Sequence, residues 1–145
     1  MAIFSSFNIS ASGMTAQRLR TDIISQNLAN VNTTRTSEGG AYVRKTVVFA
    51  EKQSTSFDQV LMTTSGLVGN GVKATKVVED TSTPMNMVYD PSHPDADENG
   101  YVTYPNVNTV TEMTNLIDAS RSYEANVTAF DAAKSMALKG LEINQ

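Results

Sequence analysis

Residues 109–141 read TVTEMTNLIDASRSYEANVTAFDAAKSMALKGL. Written as heptads, one row holds Met113, Ser120, Val127, Lys134 and Leu141. The second holds Leu116, Tyr123, Phe130 and Ala137. Seven of these nine positions are apolar or aromatic, on a seam that recurs every three and four residues. A helix is the structure that brings such a series onto one face. Thr109 and Glu112 have capping-box spacing, with the hydroxyl taking an orphan backbone N–H and the carboxylate reaching back. No proline interrupts the run. The spacing therefore predicts one long helix whose seam must find a partner, and the nearest partner lies at the other end of the chain.

Residues 1–34 supply it. Ala16, Leu19, Ile23, Ile24, Leu28 and Val31 recur at spacings of three to five along one apolar stripe, and the row Ile9, Ala16, Ile23 continues to Asn30. Serines at 5, 6, 10 and 12 and Gly13 are poor interior helix formers, so the part before Met14 is expected to fold against a partner. Asn27 and Asn30 have two readings: amides that fix the register of a neighbouring helix, or helix-end chemistry with their own backbone.

Between these helices the character changes. Tyr42 to Phe49 reads as a strand, and Val72 to Glu79 alternates as a half-buried one. Residues 51–71 lack a period and read as an extended, mobile loop. All four prolines lie from Pro84 to Pro105, which rules out a long helix there. Met85 to Tyr89 and Tyr101 to Tyr104 read as short strands either side of an acidic loop. The expected fold is α+β and elongated. Long N- and C-terminal helices (1–35 and 108–145) pair as a coiled-coil-like layer, and a small β-rich insert (36–107) lies between them.

Composition narrows the function. The net charge of −4 argues against nucleic acid as a partner. Residues 1–36 carry +2, residues 37–107 carry −4 and residues 108–145 carry −2, so the two ends attract weakly. Without cysteine there is no disulfide, thiolate metal site or Cys nucleophile. No run of apolar residues approaches the ~20 of a membrane span. The first residues, MAIFSSFNISASGM, lack the basic and apolar regions of a Sec signal peptide.

Asp95-Ala-Asp97-Glu98-Asn99-Gly100 resembles the start of a calcium loop, but position 12 is Asn106, Pro105 precedes it and strands flank it. Asn-Gly is also a hairpin signal, and a polar turn is the better reading. His93, the single histidine, lies between Ser92 and Pro94 with no nucleophile motif in the chain. Neither a catalytic residue, a cofactor nor a metal is expected.

The segment SASGMTAQRLR (10–20) followed by DIISQNLANVNTT (22–34) resembles the N-terminal motif of bacterial flagellar rod proteins. RSYEANVTAF (121–130), AAKSMAL (132–138) and GYVTYPNVN (100–108) are similar to a proximal-rod member of that family. Met14, Leu28, Asp131 and Gly140 depart mildly from the usual residues. The resemblance implies a structural subunit that stacks helically into the rod, the drive shaft that transmits torque from motor to hook, with both terminal helices in the inner layer and the insert outside. It implies export through the flagellar type III apparatus without cleavage, and FlgB, FlgF, FlgG and FliE as partners besides further copies. The assembly seam would be Ala16, Leu19, Ile23, Asn27 and Asn30 on the first helix, with Met113, Leu116, Tyr123, Val127, Phe130 and Leu141 on the second. The alternatives are a soluble coiled-coil adaptor or secreted effector binding a partner helix, and an enzyme using the loop at 90–100.

Overall fold

Two long helices frame the chain: α1 (Ala2–Ala29) and α2 (Thr109–Glu142). The computed structural model describes residues 2–53, 61 and 69–142, with side chains from Phe4 onward. Most of the loop expected at 51–71 lies outside the described residues. Between the helices are two antiparallel hairpins, β1 (Lys45–Glu51) with β2 (Val72–Glu79) and β3 (Asn86–Tyr89) with β4 (Tyr101–Tyr104). The fold is α+β, as expected. β2 and β4 have the boundaries read from the sequence, whereas β1 begins three residues later than expected, at Lys45.

The helix start differs from the expected capping box. Asn108, not Thr109, is the cap: its Oδ1 accepts the N–H groups of Val110 and Thr111 at 3.0 and 3.1 Å, and its carbonyl accepts that of Glu112. Glu112 is thereby released from capping and points inward. The other helix stops at Ala29, short of residue 34. Asn30 turns its Nδ2 back to the Gln26 carbonyl at 2.8 Å, a local bond that competes with helix propagation.

α1 is helical through its serine-rich first half because other elements hold it there. The Phe7 ring lies 4.8 Å from that of Phe130 on α2. Ser12 accepts the Val72 N–H at 3.1 Å while donating to the Ile9 carbonyl. Gly13 lets α2 come close, since a Cβ there would lie 2.5 Å from Asn126 Oδ1.

The two helices pack along a row displaced by one residue from the predicted seam. α2 buries Glu112, Ala119 and Ala133, with Asn126 half-buried between them. These recur every seven residues, one position before Met113, Ser120, Val127 and Lys134. Small side chains are favoured where two backbones approach this closely, so the larger ones turn outward. Leu116, Phe130 and Ala137 of the second predicted row are half-buried.

The first hairpin lies against α1. Its register shifts between Val48 and Phe49, where Thr75 is the extra residue and donates its hydroxyl to the Val48 carbonyl at 3.0 Å. The second hairpin is closed by the acidic loop, a turn as read. Asp97 Oδ1 accepts the N–H groups of Asn99 and Tyr101, both at 2.9 Å.

Gly71 sits at φ +83°, and a Cβ there would run into Ser12 and approach the Ile9 backbone. Gly71→Ala is therefore expected to cost about 1–3 kcal/mol through backbone strain and crowding. Thermal denaturation should show a melting point several degrees lower, and an unchanged one would contradict the close approach of α1 and the hairpin.

Candidate functional site

Two polar side chains among the described residues are fully enclosed, Asn27 and Glu112, both 0% exposed, and the charged one is the Glu112 carboxylate. Its placement one turn into α2 turns it toward α1. Arg44, just ahead of β1, donates from Nε at 3.0 Å and Nη2 at 2.8 Å to Oε1. Asn27 of α1 donates from Nδ2 to Oε2 at 2.9 Å. Asn27 is itself saturated. Its Nδ2 also reaches the Lys45 carbonyl at 2.8 Å, and its Oδ1 accepts both the Lys45 N–H and the Tyr42 hydroxyl at 2.9 Å. The amide thus pairs with β1 as a neighbouring strand would. Of the two readings for the asparagines, Asn27 takes the interhelical one and Asn30 the helix-end one.

The network runs on into the insert. Arg44 Nη1 lies 3.5 Å from Asp80. Asn106 accepts the Arg44 N–H at 2.9 Å and donates to the carbonyls of Asp80 and Thr83. The hydroxyls of Ser82 and Thr83, more than any charge, hold the Asp80 carboxyl well below its ordinary range. Burial, with Glu79 and Glu112 nearby, pushes the Tyr42 phenol up, so it stays a neutral donor.

The loop proposed for chemistry is otherwise employed. Asp95 accepts Thr34 Oγ1 at 2.8 Å and lies 3.1 Å from Arg35 Nε. His93 Nδ1 accepts the Asp95 N–H at 3.1 Å. Among the described residues no three His, Cys, Asp or Glu side chains form a group that could hold a metal ion. A cavity of about 250 Å³ beside Glu112 is lined by Arg20, Ile23, Ile24, Val47 and Phe49 among others, with neither His nor Cys in its wall.

The predicted seam residues fall into two sets. Ala16, Ile23 and Asn27 are buried within the chain, while Leu19 and Asn30 are half-buried. Leu116, Val127 and Phe130 on α2 are half-buried too. Met113 (50% exposed), Tyr123 and Leu141 (70%) face outward, joined by Val110, Ile117 and Leu138. At spacings of three and four, Val110, Met113 and Ile117 form a bare apolar stripe along the first turns of α2, and Leu138 and Leu141 another near its end. Among the described residues no helix is long and apolar enough to cross a membrane.

Sequence reasoning missed Arg44, Tyr42 and Asp80 and assigned Glu112 to capping. Comparison with known proteins gives two family matches. Residues 7–35 match the flagella basal body rod protein model, and residues 98–143 that of the flagellar basal body rod FlgEFG protein C-terminal region. The chain is 48% identical to the flagellar basal-body rod protein FlgC of Bacillus subtilis, over the whole of both chains. It is 44% identical to that of Borreliella burgdorferi, over all of this chain and 99% of the relative. It is 39% identical to that of Salmonella typhimurium, again over both chains in full.

Two outcomes are expected from the network. Arg44→Met leaves the carboxylate buried without its cation and should cost about 3–5 kcal/mol in chemical denaturation, whereas Arg35→Ala, at an exposed pair, should cost under about 1. Asp80, ionising lower when folded than the ordinary 3.8, adds stability above that pH and loses it as pH falls below. Asp80→Asn should accordingly flatten the fall in stability measured between about pH 4 and 2.

Proposed function

The chain belongs to the FlgC family of flagellar basal-body rod proteins and is a structural subunit of the proximal rod; from that premise we propose that it polymerises through the uncovered face of α2. The observation that carries this is the outward apolar row of Val110, Met113, Ile117, Leu138 and Leu141. A protein that worked as a monomer would have little reason to keep such a row bare.

The magnitudes favour a polymer over a dimer. Covering each of these side chains contributes roughly 1–2 kcal/mol, or about 5–10 kcal/mol for five. Immobilising a subunit costs an estimated 4–15 kcal/mol. A single partner leaves that balance near zero, while several neighbours around a tube tip it toward assembly. Contacts between unlike faces propagate without closing, as a rod requires. The seam on α2 would be Met113, Leu116, Tyr123, Val127, Phe130 and Leu141. Ala16, Leu19, Ile23, Asn27 and Asn30 would act beneath it, by holding α1 against α2 so that the pair presents one surface.

The same premise supports the division into a helical layer, residues 1–35 with 108–145, and an insert over 36–107. It supports assembly with other rod proteins, and FlgB, FlgF, FlgG and FliE as the particular neighbours. The site of action would be the rod where it crosses the periplasm, reached through the flagellar type III export apparatus without cleavage. The packing of Phe7 on Phe130 supports an uncleaved N-terminal segment, because removing it would strip α2 of an aromatic contact. No catalytic role is proposed for any residue.

Met113→Asp with Leu141→Asp tests the reading. Both side chains are exposed in the monomer, so circular dichroism and melting of the purified chain should barely change. The chain should nevertheless be missing from isolated basal bodies, and the cells should not swim. Normal swimming in that strain would defeat the proposal.

A further inference from the structure

The insert is electrically divided. The first hairpin, β1 with β2 and the adjoining Lys52, carries four basic and two acidic residues, or +2. The second hairpin with its loop, residues 86–104, carries four carboxylates and no lysine or arginine, or −4. Among the described residues no strand of the first hairpin contacts a strand of the second. Complementary surfaces are present, and one copy leaves them unmatched.

Each surface also has an apolar centre. On the second hairpin every residue of β3 is exposed, Met87 at 62% and Tyr89 at 64%. Tyr89 and Tyr101 meet edge to face with centroids 5.3 Å apart, which stiffens the patch. Above it the turn is fixed by Asp97, while Glu98 stands at the tip, exposed and in no ion pair among the described residues. On the first hairpin the opposed pairs Val48–Lys76 and Ala50–Lys73 project both lysines beside aliphatic side chains. Lys73 and Lys76 are exposed and likewise in no ion pair among the described residues.

We propose that the acidic second hairpin of one copy docks on the lysine-bearing face of the first hairpin of the next copy, a head-to-tail contact outside the helical layer. The inference rests on the rod reading given above. The occupant is a second copy because both halves of the match are encoded in one chain and their strands do not meet among the described residues. Unlike surfaces pair without closing, so the contact repeats from copy to copy. Glu98 takes Lys76 or Lys73, and a lysine ammonium can sit over the Tyr89 ring. Exposed pairs are individually weak. They act here at the high local concentration that the helices impose, and select the stagger between copies.

The absence of cysteine makes the test clean. Met87→Cys and Lys76→Cys are placed together in one chain, flagellated cells are oxidised, and basal bodies are run without reductant. A ladder of multimers of this chain is expected from the double variant and none from either single one. Monomer alone, or a crosslink to a different rod protein, would overturn the proposal. A charge exchange reads the same contact without cysteine. Lys76→Glu and Glu98→Lys should each lower the yield of intact rods about two- to fivefold, and the two combined should restore it. No recovery in the combined variant would also overturn it. Failure of the rod reading looks different, since the unsubstituted chain would then be missing from basal bodies.

Discussion

A carboxylate shut away from water must be matched by donors on every side, because an unmatched one costs several kcal/mol. Glu112 imposes that condition on the whole molecule. Its donors come from α1 through Asn27 and from the chain entering β1 through Arg44. Asn27 is in turn committed to both backbone groups of Lys45 and to Tyr42, so its four hydrogen-bonding positions are all in use. Sliding α1 along α2 by one residue would break these bonds together. The buried apolar residues of α2, Ala119 and Ala133, are small, and it is this polar junction that fixes the register of the two helices.

Periodicity carried most of the architecture: two helices at the ends, a turn-rich β insert, and strands whose limits were given by proline and glycine. It failed where residue type had two uses. Glu112 three residues after a threonine has the spacing of a capping box, and only the presence of Asn108 as a competing cap betrays that the carboxylate is free for something else. Asn27 and Asn30 are alike in spacing, yet one is saturated by the interior and the other ends the helix. Arg44 carries no sequence signal at all, since its importance comes from partners 36 and 68 residues away.

The displaced helix row has a more general cause. A pattern search places the largest apolar side chains inside. This chain buries Ala119 and Ala133 and leaves Met113, Ile117 and Leu141 bare. The pattern was real, but it joined two kinds of position: Leu116, Val127 and Phe130, half-buried within the chain, and the bare positions, which the proposed assembly would use as surface for neighbours. On α2, small apolar residues inside and large ones outside is the inverse of a helix in a self-sufficient globule, and it follows if much of that helix's burial is deferred to assembly.

A shaft has a second requirement beyond adhesion. Torque applied to the helices reaches the insert only if the two cannot turn independently. Arg44 spans that boundary, with Glu112 of α2 on one side and Asp80 beyond β2 on the other. Asn106 then ties the Arg44 backbone to Asp80 and Thr83, immediately before the second hairpin. A purely apolar junction of the same size could be equally stable and still permit sliding, because dispersion contacts have little directional preference. Directed, charge-assisted bonds resist shear as well as separation. The cost of burying a charge is thus set against rigidity between helices and insert, which a subunit that carries mechanical load needs and a merely stable domain does not.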